Sequence, residues 1–259
     1  MAITALAVSN TGLQAASRFL DVVGNNVANA NTIGYKTAQI TFQDALYSAF
    51  AAGAPTTGFT PPSGDQLGFG TLVDDIVGLF TQGRLQRTGE PFDLAITGRG
   101  FFAVQLPDGT LGYTRAGNFD LNANRQLVTV DGYRLAGNIT VPTAASAVSI
   151  AADGSVTAVT PNGVVTLGQI QLTAFQNPTG LLRIGDTIFA PGPNSGLATT
   201  AVPGTNGLGT LNQGFLEESN VELTTELVNL ILAQRSFAFN TRAIQVENAI
   251  LQATLDLIA

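Results

Sequence analysis

The 259-residue chain contains no cysteine, no histidine and no tryptophan. The first two absences exclude disulfides, thiol nucleophiles, imidazole bases and the usual Cys/His metal sites together. No cofactor is expected. The third disfavours the one enzymatic option left, a glycosidase working through two carboxylates, because the best sugar-stacking side chain is missing. The adjacent pairs Asp74-Asp75 and Glu217-Glu218 read as solvated residues at element starts. Charge is scarce. Only 11% of residues are Asp, Glu, Lys or Arg, against about 25% in ordinary soluble domains. Lys36 is the only lysine, and the net charge is −7. An acidic chain repels a phosphate backbone, so nucleic acid is excluded as an expected partner. So weakly charged a surface can meet copies of itself while desolvating few ions. Long apolar runs are lacking too. The charge-free stretch from Thr187 to Leu216 is rich in Gly, Pro, Asn and Thr, unlike the roughly 20 apolar residues of a membrane helix. Met1-Ala2-Ile3-Thr4 carries no basic residue and Asp21 interrupts the apolar stretch that follows. That argues against a cleaved secretory signal, leaving a cytosolic chain or export by a route that reads none.

Apolar residues make up 45% of the chain, enough for a sizeable core. Their arrangement predicts an α+β protein: a discontinuous, coiled-coil-like helical domain built from both termini, plus a central antiparallel β domain. The predicted segments are an N-terminal helical stretch 1–46, an extended insertion 47–70, a β domain 71–215 and a C-terminal helix 216–259. The insertion holds Pro61-Pro62 and several glycines, which suit a loop or linker. The β domain is punctuated by Pro107-Asp108-Gly109, Asp131-Gly132, Asp153-Gly154 and Asn162-Gly163, pairs that supply tight hairpin turns. Phe101 to Leu106 and Gln169 to Phe175 have strand composition.

The C-terminal stretch is the most periodic. Leu223, Leu230, Phe237, Ile244, Leu251 and Ile258 recur every seventh residue, with Leu227 and Leu255 among the companions four residues on. This is a heptad seam. Ser219 and Glu222 predict a capping box at its start, and Glu217, Glu218, Glu222 and Glu226 crowd the positive end of the helix dipole. Leu6, Leu13, Leu20 and Val27 repeat the spacing at the N-terminus. The reading is that the two helices pair with each other and with other chains through these residues.

Four segments carry a family resemblance. Asn25-Asn26-Val27-Ala28-Asn29-Ala30-Asn31-Thr32-Ile33-Gly34-Tyr35-Lys36 resembles the Asn-rich signature of flagellar rod and hook proteins. Thr88 to Val104, with Gly100, Phe101 and Phe102, is similar to the family's entry into its β domain. Tyr113-Thr114-Arg115-Ala116-Gly117-Asn118-Phe119 resembles the next strand motif. Gly214 to Val221, with Ser219 and Asn220, followed by Gln234-Arg235-Ser236-Phe237, resembles the C-terminal signature. The likeness is strongest to the distal-rod branch; a proximal rod or hook-type subunit is the nearest alternative. It implies a structural axial subunit that self-assembles into a rigid hollow tube in the basal body, transmitting torque between motor and hook. Implied partners are copies of itself, proximal rod subunits, hook or hook-rod junction subunits, outer-membrane bushing rings where present, and the export apparatus. The competing class is a secreted β-rich binding module with a coiled-coil oligomerisation tail. One departure from the family pattern falls after Asp120, where Asn124 is expected to take the left-handed turn conformation in place of a glycine.

Overall fold

The computed structural model describes residues 2–45, 47–49, 66–137 and 139–256. The chain divides into two compact units. The first gathers the chain up to Val27, Ala38–Val77 and the chain from Leu223 onward; the second gathers Ala28–Thr37 and Gly78–Glu222. Both ends of the chain therefore contribute to one unit, and the architecture is α+β.

In the first unit, α1 spans Ala2–Ala28 and α2 spans Leu223–Asp256. The helical reading of 1–46 is corrected here. The helix stops at Ala28, and Ala38–Asp44 is a strand hydrogen-bonded to Thr71–Gly78. The reason lies in Ala38-Gln-Ile-Thr-Phe-Gln-Asp, which alternates with a period of two. Ile40 is buried, and Phe42 meets Phe19 of α1 edge-on, with ring centroids 6.1 Å apart. Tyr47–Ala49 pairs antiparallel with Gln66–Gly68, closing the base of the predicted insertion. Residues 50–65 of that insertion lie outside the described residues.

The capping box is also corrected. Helix α2 begins at Leu223, and the Ser219 hydroxyl accepts from Val221 N at 3.3 Å, a turn bond two residues on. Ser219 thus shapes the approach to the helix, four residues ahead of its first turn.

The second unit is built on the strand Phe101–Gln105. One edge pairs with Leu111–Thr114 across the Asp108-Gly109 turn. The other pairs first with Leu172–Phe175 and then with Arg134–Leu135. All these pairings are antiparallel. Both faces of the central strand are covered, which is why Phe-Phe-Ala-Val reads as an unbroken apolar run. Phe102 and Val104 join a core with Leu94, Ile96, Phe119 and Leu172. Phe101 and Ala103 join a second cluster with Tyr113, Phe175 and Phe189. A three-stranded sheet of Ala147–Ile150, Ser155–Thr160 and Gly163–Gln169 adds Ile150 and Val156 to the first core.

After Asp120 the left-handed residue is Arg125, with φ 57°, one position later than expected. The Asn122 side chain accepts from the backbone N–H groups of Asn124 and Gln126, both at 2.9 Å. Arg125 Nε donates to Val141 O at 2.9 Å. The side-chain bonds of Asn122 set the turn and leave Arg125 to absorb the positive φ.

Candidate functional site: helix faces and a buried charge junction

Within the first unit, α1 and α2 run antiparallel. Asn26 Nδ2 donates to Glu226 Oε1 at 3.1 Å, and a Cβ on Gly12 would sit 2.7 Å from Asn240 Oδ1. Moving fourteen residues back on α1 matches moving fourteen forward on α2. The contact is made by small and polar residues, Gly12 and Asn26 on α1 and Glu226 and Asn240 on α2. Ala233 is fully buried. Small residues allow the backbones to approach closely. Asn26 is the anchor at one end. It bonds Ala38 through both amide atoms, accepting from its N–H at 2.9 Å and donating to its carbonyl at 2.8 Å, while its second N–H reaches Glu226.

The predicted seam residues flank this row. Leu6, Leu13, Leu20, Val27, Leu230, Ile244 and Leu251 are half-buried. Leu223, Leu227, Phe237 and Leu255 are exposed in the single chain, from 38% at Phe237 to 67% at Leu255. Ile258 lies outside the described residues. A further apolar set on α2 escaped the sequence reading: Val228, Leu232, Phe239, Val246 and Ile250, each more than half exposed. The signal was available. Spacings of four and seven residues place these side chains on one helical face, interleaved with the exposed Arg235 and Arg242.

The signature residues divide. Asn25, Asn31 and Arg235 are exposed, whereas Asn29, Ser219 and Asn220 are half-buried and Gly34, Gly100, Phe101 and Phe102 are buried. In the second unit, several of them meet at a junction of three chain segments. Asn220 Oδ1 accepts from Thr37 N at 2.7 Å, and its Nδ2 donates to Leu79 O and to the Thr81 hydroxyl. Gly34 donates its N–H to Glu217 O at 2.8 Å and has φ +71°. A Cβ there would lie 2.4 Å from Ala116 N, so the site requires glycine.

Beneath this crossing lies a buried ion cluster. Lys36 Nζ donates to Glu217 Oε1 at 2.5 Å and to Thr81 O at 2.9 Å. Arg115 Nη1 donates to Glu217 Oε2 at 3.1 Å, and its Nη2 donates to Gly98 O at 2.6 Å. Gly83 N–H donates to Glu217 Oε1 at 2.9 Å. The Lys36 and Glu217 side chains are wholly shielded from solvent. Burial pushes the Lys36 amine below its ordinary 10.5, and Glu217 opposes that shift; the neighbouring Arg115 lowers it further. Burial likewise lowers Arg115, again opposed by Glu217. One carboxylate thus holds two cations, and the carbonyls of Thr81, Ile96 and Gly98 accept from further donors, while Arg115 Nε has no partner among the described residues.

One expectation is corrected by this cluster. Glu217 is not a solvated residue at an element start; it is the centre of the ion cluster. Lys36 and Arg115 are each the lone charge of their motif, whereas Glu217 stands beside Glu218, and Lys36 is the sole lysine of a charge-poor chain. Those contexts point to burial, but partner identity depends on contacts across 181 and 102 residues of sequence.

No cluster of three or more metal-ligating side chains occurs among the described residues, and none of the described helices is long and apolar enough to cross a membrane.

Three parts of the chain match known families. Residues 6–36 match the family described as flagella basal body rod protein. Residues 95–158 match the flagellar hook protein FlgE/F/G D1 domain, and residues 212–257 the C-terminal region of flagellar basal body rod FlgEFG proteins. The chain is 40% identical over 253 residues to the flagellar basal-body rod protein FlgG of Borreliella burgdorferi, covering 95% of this chain and 96% of the relative. It is 42% identical over 247 residues to FlgG of Bacillus subtilis, covering 92% of each. A more distant likeness, 24% identity over 410 aligned positions, links it to the flagellar hook protein FlgE of Escherichia coli, covering 95% of this chain and 98% of the relative.

Proposed function

The chain belongs to the flagellar basal-body rod protein family, as a structural subunit within the flagellar basal body, and we propose that it builds the distal segment of the rod. Copies stack through their terminal helices into a rigid hollow tube that transmits torque and lets later subunits pass. The observation that carries this reading is α2 itself. Among its described residues Glu226 and Ala233 are buried in one chain, and Leu223, Leu227, Leu232, Phe239 and Val246 are left exposed. Rows of exposed apolar side chains mark an interaction site, and repeated head-to-tail contacts that do not close give an open filament.

The remaining partners follow from the position along the axis. Proximal rod subunits lie below, hook or hook-rod junction subunits above, and bushing rings around the rod where the cell has them; the subunit reaches its place through the export apparatus. The helices Ala2–Ala28 and Leu223–Asp256 are the assembling segments in this reading, and the signature residues around Gly34, Arg115 and Glu217 fix the subunit's own conformation. The chain acts without catalysis.

Basal bodies isolated from cells lacking this chain test the reading. They are expected to end in a short rod stub without a hook. Complete rods carrying hooks in those cells would overturn the assignment.

A further inference from the structure

We propose that the outer face of α2 docks on the Thr71–Gly78 strand of a second copy of this chain, with Arg235 and Arg242 straddling that copy's Asp74. The inference rests on the assembly reading above and specifies which surfaces meet.

The first surface is the stripe Leu232, Arg235, Phe239, Arg242 and Val246. Steps of three and four residues put these side chains on one helical face. Phe239 is 79% exposed, and neither arginine has an ion pair among the described residues. A stripe that alternates apolar and cationic side chains calls for a partner that alternates apolar and anionic ones.

The second surface is such a partner. Along Thr71–Gly78, residues 72, 74 and 76 share one face of the strand. They are Leu72, Asp74 and Ile76; the two apolar residues are 48% and 45% exposed, and Asp74 has no ion pair among the described residues. The strand also borders an open groove of about 500 Å³ against Thr11, Gln14 and Arg18 of α1. The chain has only eleven cationic residues, and two of the eight that make no ion pair among the described residues stand on this stripe. Charge complementarity therefore favours a second copy as the occupant. Pairing Arg with Asp fixes the register, and covering Phe239, Leu72 and Ile76 removes apolar surface from water.

The chain has no cysteine, so introduced thiols report without background. Full-length Ile76→Cys and full-length Phe239→Cys chains are mixed under polymerising conditions and treated with a short bis-maleimide, with Ile76→Cys and Val164→Cys as the control mixture. Val164 lies on the edge of the three-stranded sheet and is 70% exposed. The expected result is cross-linked dimer about tenfold above control, the gain that roughly 1.4 kcal/mol of preference provides. Asp74→Arg should lose polymer, and Asp74→Arg mixed with an Arg235→Asp, Arg242→Asp chain should regain it. If the parent polymer sediments normally but cross-linking stays at control level, the docking proposal is overturned and the assembly reading stands. If the parent forms no polymer at any concentration, both are overturned. An acidic protein other than this chain capturing the stripe, with no self cross-link, also overturns the second copy as partner.

Discussion

Glu217 holds Lys36 on one oxygen and Arg115 on the other, out of reach of water. Replacing it by Gln would leave two buried cations facing a neutral amide. Breaking a buried pair by removing one partner costs about 3–5 kcal/mol, so Glu217→Gln should lower the denaturation midpoint sharply. Lys36→Met keeps the Glu217–Arg115 pair and replaces a desolvated amine by an apolar chain of similar length. It should cost far less, and urea titration of the two variants side by side checks the order. The pH dependence follows from the sign of the Lys36 shift. Its folded pKa lies below the unfolded value of 10.5, so between those values the unfolded chain binds more protons. Stability from this group therefore rises with pH across that window. Lys36→Met should remove that rise, and a parent and variant with the same slope below pH 10.5 would contradict it. At this scale the sequence was partly legible. The isolation of Lys36 and Arg115 in their motifs was visible; their meeting at Glu217 was not, because no local periodicity reports a contact between distant segments.

Elements were easier to read where one period dominates. The helical periodicity of both termini and the turn pairs of the β unit each rest on local chemistry. The N-terminal stretch failed beyond Ala28 because the period changes from 3.6 to two across an Asn-rich turn only nine residues long. The start of α2 was misplaced because Ser219 and Glu222 mimic a capping box while the Ser219 side chain is already used in a turn. The heptad rows were seen, but the row that meets α1 is Glu226, Ala233 and Asn240, which a search for apolar residues passes over. Gly34 ties the Asn-rich turn to the strand Phe215–Glu217. Gly34→Ala forces a Cβ against the Ala116 backbone and a positive φ on an L side chain. A loss of about 2–4 kcal/mol is expected from strain and displacement together, read as a fall in melting temperature; an unchanged melting temperature would show that the crossing relaxes freely.

The whole molecule combines a β unit with its own core and helices left with apolar surface to cover. Leu230→Asp places a carboxylate beside the α1 contact, where burial in an assembly would cost several kcal/mol or force protonation. Sedimentation should show the polymer lost, while circular dichroism keeps the β-sheet signal, because the second unit has its own core. The central claim is that one chain leaves helix surface that only further copies cover in an open series. Electron microscopy of the purified chain at increasing concentration tests it most directly. The account predicts straight tubes of constant diameter that lengthen with concentration; discrete particles of fixed size, or monomers throughout, would contradict it.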